Sequence, residues 1–333
     1  MVLGACASPG RTSEPISDIA LEAELRSVAT QSDGRLGACA LEGQARIACV
    51  NGDQRFSLQS VMKLIVGAAA MHAVDHRGWR LDDEVVLRRE DLSLHVQPLA
   101  RIVEQQGEFR TTLGDLIERA VVESDSAATD YLFERLGGAP GLADFLRHAE
   151  ANGGIRVDRN ERQLQTEITG LVWRAEFADS ATLRQARERL SPAQRRAAFE
   201  AYLADPRDTA TPFATVEFLD RLARGRILSE ASTEYFLGVM GRTRTFPTRL
   251  RAGAPAGWTV AHKTGTSSDF EGLNAVTNDV GLFRTADGRT IAVAVFLAES
   301  RQAASERDAV LAAVARAVGR AWNSPPSDFD AER

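Results

Sequence analysis

The 333-residue sequence has little lysine: it contains 38 arginines but only two lysines, Lys63 and Lys263. It also lacks a block of basic residues that could follow a phosphate backbone, and its net charge is -6. Nucleic acid is therefore not an expected partner. No hydrophobic run approaches the roughly 20 residues that a transmembrane helix needs. With 44% hydrophobic residues, the chain can bury the core of one large domain or two lobes.

Cysteine is scarce as well, with three residues in the chain. Cys39 and Cys49 lie in two short strand-like segments around a turn at Glu42-Gly43. They could form a disulfide in an oxidising compartment, but two buried free thiols are the interpretation we favour. The third, Cys6, ends a stretch that resembles a bacterial lipoprotein cleavage box, without the charged and apolar regions that normally precede it. A lipid anchor and a plain N-terminal segment over 1–14 therefore both stay open.

Hydrophobic periodicity places strands near both chain ends and helices between them. The predicted helices cover 15–31, 60–76, 111–135 and 305–322, and the predicted strands lie in 34–50, 258–266, 275–284 and 290–298. This order favours an α/β (α+β) fold, in which both termini form an antiparallel sheet flanked by helices and an all-helical lobe is inserted. We expect a single two-lobed domain over 15–322, a cleft between its lobes, and a disordered tail at 323–333.

The first lysine follows a serine by three residues, at Ser60 and Lys63. On a helix this spacing places both side chains on one face, so the Lys63 amine should lie beside the Ser60 oxygen. A serine hydroxyl needs a neighbouring base to act as a nucleophile. Arginine cannot serve because its guanidinium does not lose a proton in proteins. The pair therefore predicts a nucleophile and its base at a helix N-terminus.

The second lysine lies on a predicted strand in HKTGTS, where Lys263 and Gly265 share one face. Between the lysines, Ser124-Asp125-Ser126 sits just inside a helical stretch, and the Ser124 hydroxyl could pass a proton between Lys63 and a leaving group. S-x-x-K, S-D-x and K-T-G thus occur in order and use both lysines. Together they resemble the motifs of the class A β-lactamases, within the penicillin-binding serine acyl-transferases. The resemblance extends over nearly the whole chain.

The resemblance implies a β-lactamase/transpeptidase-like fold and a set of site residues. Ser60 would be the acylated nucleophile, Lys63 its base partner and Ser124 the proton shuttle. Lys263, Thr264 and Gly265 would form the wall for the substrate carboxylate. The backbone N–H groups of Ser60 and Thr266 would form the oxyanion hole.

The stretch RNERQLQ, residues 159–165, is similar to the family pattern R-x-E-x-x-L-N. The similarity makes Glu161 the general base for the deacylating water, with Glu167 as the alternative. A plain acidic residue on a surface helix is the other interpretation of Glu161. Gln165 replaces the family asparagine that helps to hold that water, and it keeps the amide.

Three positions depart from the family pattern. Ser126 replaces the asparagine of S-D-N and is too short to reach a substrate amide directly, which leaves the substrate preference open. Arg249 is the best match to a family arginine that holds the substrate carboxylate, although a surface charge is equally in keeping with its context. The family pairing of Arg159 with an aspartate points to Asp208, so the omega loop gains an insertion over about 166–204.

The composition of the insertion predicts a helical hairpin broken at Ser191-Pro192, either a lid over the cleft or surface decoration. His72 and His76 are one helical turn apart, but HAVDH lacks the glutamate of H-E-x-x-H and no third ligand is evident. We therefore expect no metal and no cofactor. His262 should face away from Lys263, in the core or behind the site.

The function that we predict is hydrolysis of β-lactams by a periplasmic or secreted monomer, with the lipoprotein anchor at Cys6 still open. A penicillin-binding DD-peptidase and a serine amidase or esterase on the same scaffold are the alternatives. A sensor that stays acylated is a further one, and it would require the enlarged loop to misplace Glu161.

Overall fold

The computed structural model describes residues 15–324. The lipoprotein-like box that ends at Cys6 and the tail from residue 325 lie outside these residues. The helices are α1 (Ile19–Gln31), α2 (Met62–His76), α3 (Ala100–Gln106), α4 (Leu113–Glu118), α5 (Ser126–Arg135), α6 (Gly138–His148), α7 (Glu161–Glu167), α8 (Ser180–Glu188), α9 (Pro192–Leu203), α10 (Pro212–Ala223), α11 (Glu230–Gly241), α12 (Leu250–Gly253) and α13 (Ala304–Ala321). Over these residues, no helix combines the length and the apolar character that crossing a membrane requires.

The strands are β1 (Ile16–Ser17), β2 (Arg35–Glu42), β3 (Arg46–Val50), β4 (Phe56–Ser57), β5 (Glu84–Leu87), β6 (Phe109–Thr112), β7 (Thr209–Ala210), β8 (Thr259–Thr266), β9 (Asp269–Phe270), β10 (Leu273–Arg284) and β11 (Thr290–Ser300). Seven of them form the main sheet, in the order β1-β3-β2-β11-β10-β8, with β9 paired to β10. Apart from the short β1, which runs parallel to β3, neighbouring strands are antiparallel. The predicted sheet from both chain ends is confirmed.

Alternation along the central strand β11 gives the sheet its two packing faces. Val293, Val295 and Leu297 pack in a core with α1 and α13, whereas Ala294 and Phe296 pack in the larger core with the helical lobe. Helix α2 is almost entirely buried in that larger core. The sheet therefore separates a terminal helical layer from the lobe that carries α2.

The hairpin of β2 and β3 holds a disulfide, so the interpretation of its cysteines as free thiols is wrong. The strand register places Cys39 directly opposite Cys49, and the two residues are bonded. Their Cα atoms lie 4.2 Å apart. The pairing of the two strands, which a count of cysteines does not give, brings the sulfur atoms together.

The insertion in the omega loop folds as two helices, α8 and α9, preceded by a short turn of 3-10 helix at Ala175–Ala178. Helix α9 begins at Pro192, and the Ser191 hydroxyl accepts a hydrogen bond from the backbone N–H of Gln194. Proline at the first helical position after a capping serine is a standard helix start. The predicted helices and the break between them at Ser191-Pro192 are confirmed.

Candidate active site

The turn that carries Ser60 is tied to the central sheet. Ser60 lies in a 3-10 turn, Gln59–Val61, that leads directly into α2. The side-chain amide of Asn278, on β10, donates to the carbonyl oxygens of Ser57 at 2.8 Å and Leu58 at 3.1 Å. Two hydrogen bonds from β10 thus fix the chain just before Ser60.

Strand β8, which carries K-T-G, packs its backbone against the same turn. A Cβ atom on Gly265 would stand 2.6 Å from the carbonyl oxygen of Leu58 and 3.2 Å from the backbone nitrogen of Ser60. Glycine is therefore required, because any side chain would push the strand away from the turn.

His262, the residue before Lys263 on β8, is buried, and its Nδ1 lies 2.8 Å from the carboxylate of Asp279. This confirms its expected place in the core.

Lys63 lies at the centre of a buried polar cluster. Its Nζ donates to the carbonyl oxygen of Ser124 at 2.6 Å and to the Ser126 hydroxyl at 3.1 Å, and it lies 3.3 Å from Glu161 Oε1. Among the described residues, no hydrogen bond joins Lys63 to Ser60. The lysine side chain extends to the S-D-S segment and to Glu161.

The Ser124 hydroxyl lies between the two lysines. Ser124 has a left-handed φ of 59° where a π-helical turn, Arg119–Glu123, ends. Its Oγ accepts a hydrogen bond from Lys263 Nζ at 3.0 Å and lies 3.4 Å from Lys63 Nζ. Burial, followed by the charge of Lys63, lowers the pKa of Lys263 well below its usual value. A hydroxyl held between two amines can relay a proton in either direction.

Glu161 is the first residue of α7 and is almost fully buried, with 2% of its surface exposed. Its backbone N–H donates to Asp130 at 2.6 Å, and its Oε2 accepts from the Gln165 amide at 3.2 Å. Within residues 15–324, Oε1 accepts no hydrogen bond, although the Lys63 amine lies close to it. This carboxylate faces the polar cluster and is not an ordinary acid on a surface helix.

Asp130 anchors Glu161, and the sequence interpretation missed it. Its carboxylate also accepts hydrogen bonds from the backbone of Arg162 at 3.2 Å and from the Ser93 hydroxyl at 2.7 Å. Burial, followed by the charge of Glu161, raises the pKa of Asp130 to about 7. The sequence clue that could have identified Asp130 is its position one helical turn after Ser126 on α5, which places both residues on the same face of that helix.

The omega loop is closed by the predicted ion pair. Arg159 Nε lies 2.6 Å from the carboxylate of Asp208, and Asp208 also accepts a hydrogen bond from the backbone of Arg159 at 3.0 Å. Glu167, the alternative general base, is 41% exposed and is paired with Arg159 at 2.5 Å and Arg207 at 2.9 Å. Glu167 therefore belongs to the loop closure, whereas Glu161 belongs to the buried cluster.

The insertion reaches this cluster through Tyr202 of α9. The Tyr202 hydroxyl lies 2.7 Å from the Ser57 hydroxyl and accepts a hydrogen bond from the Gln59 amide. Gln59 Oε1 in turn accepts from Gln165 at 3.0 Å, and Gln165 donates to Glu161. Burial raises the pKa of Tyr202 to about 12. A chain of hydrogen bonds therefore runs from the insertion to the carboxylate.

A second set of contacts joins the insertion to β9 and to the turn that follows it. The rings of Phe199 and Phe270 lie 5.1 Å apart, and Arg196 pairs with Glu271 at 2.7 Å. Helix α9 of the insertion therefore contacts both Gln59, beside Ser60, and the segment that follows K-T-G.

Arg249 is buried behind β8, with 2% of its side chain exposed, so the interpretation as a surface charge is wrong. Its guanidinium donates to the Thr266 hydroxyl at 2.8 Å, to the carbonyl oxygen of Asn278 at 2.9 Å and to Asp308 at 2.7 Å. The side chain therefore fixes Thr266 from behind. Thr264, also named in the sequence analysis, shares a hydrogen bond of 2.7 Å with Thr245.

Comparisons with known proteins agree with this arrangement. The model of the "Beta-lactamase enzyme family" matches residues 20–322. The extended-spectrum beta-lactamase PER-1 of Pseudomonas aeruginosa is 28% identical over 270 residues, which cover 80% of this chain and 75% of that protein.

Solved structures give the same result. A beta-lactamase from Chitinophaga pinensis has a TM-score of 0.74 at 24% identity, covers 91% of this chain and is itself 99% covered, which supports the fold. The class A beta-lactamase described as the last common ancestor of Gram-negative bacteria is 33% identical, with a TM-score of 0.71 and coverage of 91% of this chain and 99% of its own. The chain therefore belongs to the beta-lactamase enzyme family, among the class A enzymes.

Proposed function

We propose that this protein hydrolyses β-lactam antibiotics through an acyl-enzyme on Ser60, with Glu161 activating the deacylating water. The observation that carries the proposal is the buried Glu161 carboxylate, whose Oε1 lies 3.3 Å from the Lys63 amine and whose Oε2 accepts a hydrogen bond from the Gln165 amide. A penicillin-binding protein that only acylates has no need of such a base. The family membership supports the same activity.

Acylation begins when Ser60 Oγ attacks the lactam carbonyl carbon while Lys63 accepts the hydroxyl proton. The backbone N–H groups of Ser60 and Thr266 stabilise the oxyanion. The C–N bond of the lactam then breaks, and Ser124 gives a proton to the leaving nitrogen. Lys63, whose Nζ lies 3.4 Å from the Ser124 hydroxyl, replaces it with the proton that it took from Ser60, while Lys263, 3.0 Å from the same hydroxyl, holds Ser124 in place.

Deacylation uses the other side of the cluster. Glu161 removes a proton from water, whose oxygen attacks the ester carbonyl carbon. The bond between that carbon and the Ser60 oxygen then breaks, and the proton taken up by Glu161 returns through Lys63, 3.3 Å away, to the Ser60 oxygen. Gln165, which donates to Glu161 at 3.2 Å, supplies the amide that orients this carboxylate. The hydrogen-bond chain from Tyr202 through Gln59 keeps that amide in place.

Substrate binding depends on β8 and on the S-D-S segment. Lys263, Thr264, Gly265 and Thr266 form the wall for the substrate carboxylate, and Arg249 acts on it through the Thr266 hydroxyl. The Ser126 hydroxyl accepts from Lys63 at 3.1 Å, so it keeps the lysine contact but offers no long amide to the substrate. The lost hydrogen bond weakens substrate binding by about 1 to 3 kcal/mol.

The compartment that we propose is the periplasm or the exterior of the cell, where the disulfide between Cys39 and Cys49 is stable. The proposal treats the protein as a monomer and leaves the lipid anchor at Cys6 as an addition to it. A DD-peptidase, an amidase or esterase on another substrate, and a permanently acylated sensor are the alternatives that the experiment must separate.

The test mixes the purified protein with a chromogenic cephalosporin and with benzylpenicillin, and follows turnover together with intact-protein mass. We expect continuous hydrolysis of both compounds, which Ser60→Ala abolishes. A stable adduct on the wild type would contradict the proposal in favour of a penicillin-binding protein or a sensor. The absence of both turnover and adduct would contradict it in favour of a different amide or ester.

A further inference from the structure

Three histidines from two helices meet on the surface far along α2 from Ser60. His72 and His76 lie one turn apart on α2, and His148 is the last residue of α6. The ring centroid of His72 lies 4.4 Å from that of His76 and 4.3 Å from that of His148. One ligand nitrogen of each residue lies within 4.8 Å of the others. The fold thus supplies the third ligand that the sequence did not reveal.

We propose that His72, His76 and His148 form a binding site for one divalent transition-metal ion, of which Zn²⁺ is the probe of choice. Three imidazoles with an open fourth position are an established donor set for zinc. Zinc–nitrogen bonds of about 2.0 to 2.1 Å would require the rings to close in slightly. His76 and His148 are exposed, so their side chains can rotate to do so.

The surroundings favour a metal over a chance meeting of rings. The cluster uses three of the five histidines in the chain. His72 also contacts Phe145 of α6, with centroids 5.5 Å apart, which fixes one ligand in place. The nearby Asp75 carboxylate is occupied by hydrogen bonds from Ser229 and Ser232 and does not compete as a ligand. A bound ion would join α2, the helix that follows the turn with Ser60, to α6.

The test titrates Zn²⁺ into chelator-treated, tag-free full-length protein and records calorimetry and the unfolding temperature. We expect one ion per chain, micromolar binding or tighter, and a rise in unfolding temperature, because an ion that binds only the folded state stabilises it. His148→Ala should weaken binding by more than about tenfold, the smallest loss seen when even an outer partner of a metal ligand is removed.

His95→Ala is the matched control, since it removes a histidine that lies outside the cluster. Circular dichroism without metal checks that each variant is folded. Substitution with Co²⁺ gives a second readout, because its visible absorption reports imidazole coordination independently of heat or stability. No binding by the wild type, or equal binding by the wild type and His148→Ala, would overturn the site.

A second observation, independent of the histidines, concerns a cavity of about 240 Å³ between the insertion and the site. Gln59, next to the nucleophile, and Gln165, next to the general base, line one side of it. The insertion lines the other side with Arg184, Arg187 and Arg195. The cavity therefore adjoins the place where an acyl group on Ser60 would project its side chain.

The three arginines give this cavity an excess of positive charge. Across residues 15–324, none of them forms an ion pair or a side-chain hydrogen bond with the protein. Of the two acids that line the cavity, Asp269 is paired with Arg307 at 3.2 Å, which leaves Glu188 as the opposing charge. Guanidinium groups bind carboxylates through paired, charge-assisted hydrogen bonds. The lining therefore suits an anionic substituent.

We infer that the insertion forms a subsite for β-lactams whose acyl side chain carries a carboxylate, an inference that rests on the proposed function. The matched probes are benzylpenicillin and its α-carboxy derivative, which differ by one carboxylate. We expect the ratio of kcat/KM values, carboxylated over neutral, to fall about fivefold in Arg184→Gln/Arg187→Gln, as for an exposed ion pair. Added salt should lower the wild-type ratio in the same direction.

Arg189→Gln is the control, because Arg189 follows α8 but does not line the cavity. Hydrolysis of benzylpenicillin at the wild-type rate with an unchanged ratio in the double variant would overturn the subsite and leave the proposed function intact. Failure of every variant and of the wild type to hydrolyse either compound would overturn both. A fall in both kcat/KM values by the same factor would assign the arginines to loop structure and overturn the subsite.

Discussion

Replacement of Glu161 by alanine is expected to slow deacylation by about 100-fold to 10,000-fold, the contribution of a positioned general base. Acylation of Ser60 should continue, so intact-protein mass spectrometry should show the wild-type mass plus one ring-opened β-lactam. The physical reason is the place of the carboxylate at the start of α7, where it is buried, lies 3.3 Å from the Lys63 amine and accepts a hydrogen bond from the Gln165 amide.

Two further variants sharpen this result. Glu161→Gln keeps the shape of the side chain, so trapping in this variant as well would exclude collapse of the omega loop as the cause. Glu167→Gln should deacylate like the wild type, since Glu167 is paired with Arg159 and Arg207 on the exposed side of the loop. Trapping in Glu167→Gln with normal turnover in Glu161→Gln would assign the base to Glu167 instead.

The second large effect is expected for Lys63→Arg, which places a permanent positive charge beside Glu161 and cannot act as a base, because a guanidinium does not lose its proton in proteins. Acylation, measured by stopped-flow with a fluorescent penicillin, should slow by about 100-fold to 10,000-fold. Lys63 is almost fully buried, so arginine also overpacks its pocket. Lys63→Met, which has a similar volume and no charge, should lose acylation to a similar extent if the proton transfer is what matters.

Lys263→Arg is the matched control, since it makes the same exchange at the other lysine of the chain. On β8 the proposed role of Lys263 is mainly that of a cation for the substrate carboxylate, which a guanidinium can also bind. We expect this variant to keep much more of its acylation rate than Lys63→Arg. Wild-type acylation by Lys63→Arg would contradict the assignment of Lys63 as the base.

Local signals in the sequence were sufficient for most elements of the fold. The apolar alternation of β10 and β11 and the helical spacing after Ser60 predicted strands and a helix close to the observed β10 (Leu273–Arg284), β11 (Thr290–Ser300) and α2 (Met62–His76). These patterns succeed because each depends on which side chains one element turns towards the core. The stretch over 111–135 was less well predicted, since it begins as β6 and contains a π-helical turn before Ser124.

The site divides in the same way. Ser60, Lys63, Ser124 and Lys263 could be proposed from the sequence because their motifs are short, and the structure places the Ser124 hydroxyl between the two lysines. Asp130, Asn278 and Tyr202 were missed because each acts on a partner that is distant in sequence, such as the Glu161 backbone or the Gln59 amide. The insertion was predicted as a helical hairpin, but its connection to Glu161 through Tyr202, Gln59 and Gln165 depends on where α9 packs in the fold.

By itself, the sequence determined the order of helices and strands, the Ser-Lys-Ser-Lys set of reactive groups and the position of the enlarged loop. The tertiary structure alone decided that Cys39 and Cys49 are bonded, that Lys63 turns to the S-D-S segment, and that His148 joins two histidines of α2. The physical reason is that such pairings depend on strand register and helix packing, which sum many weak contacts between distant parts of the chain.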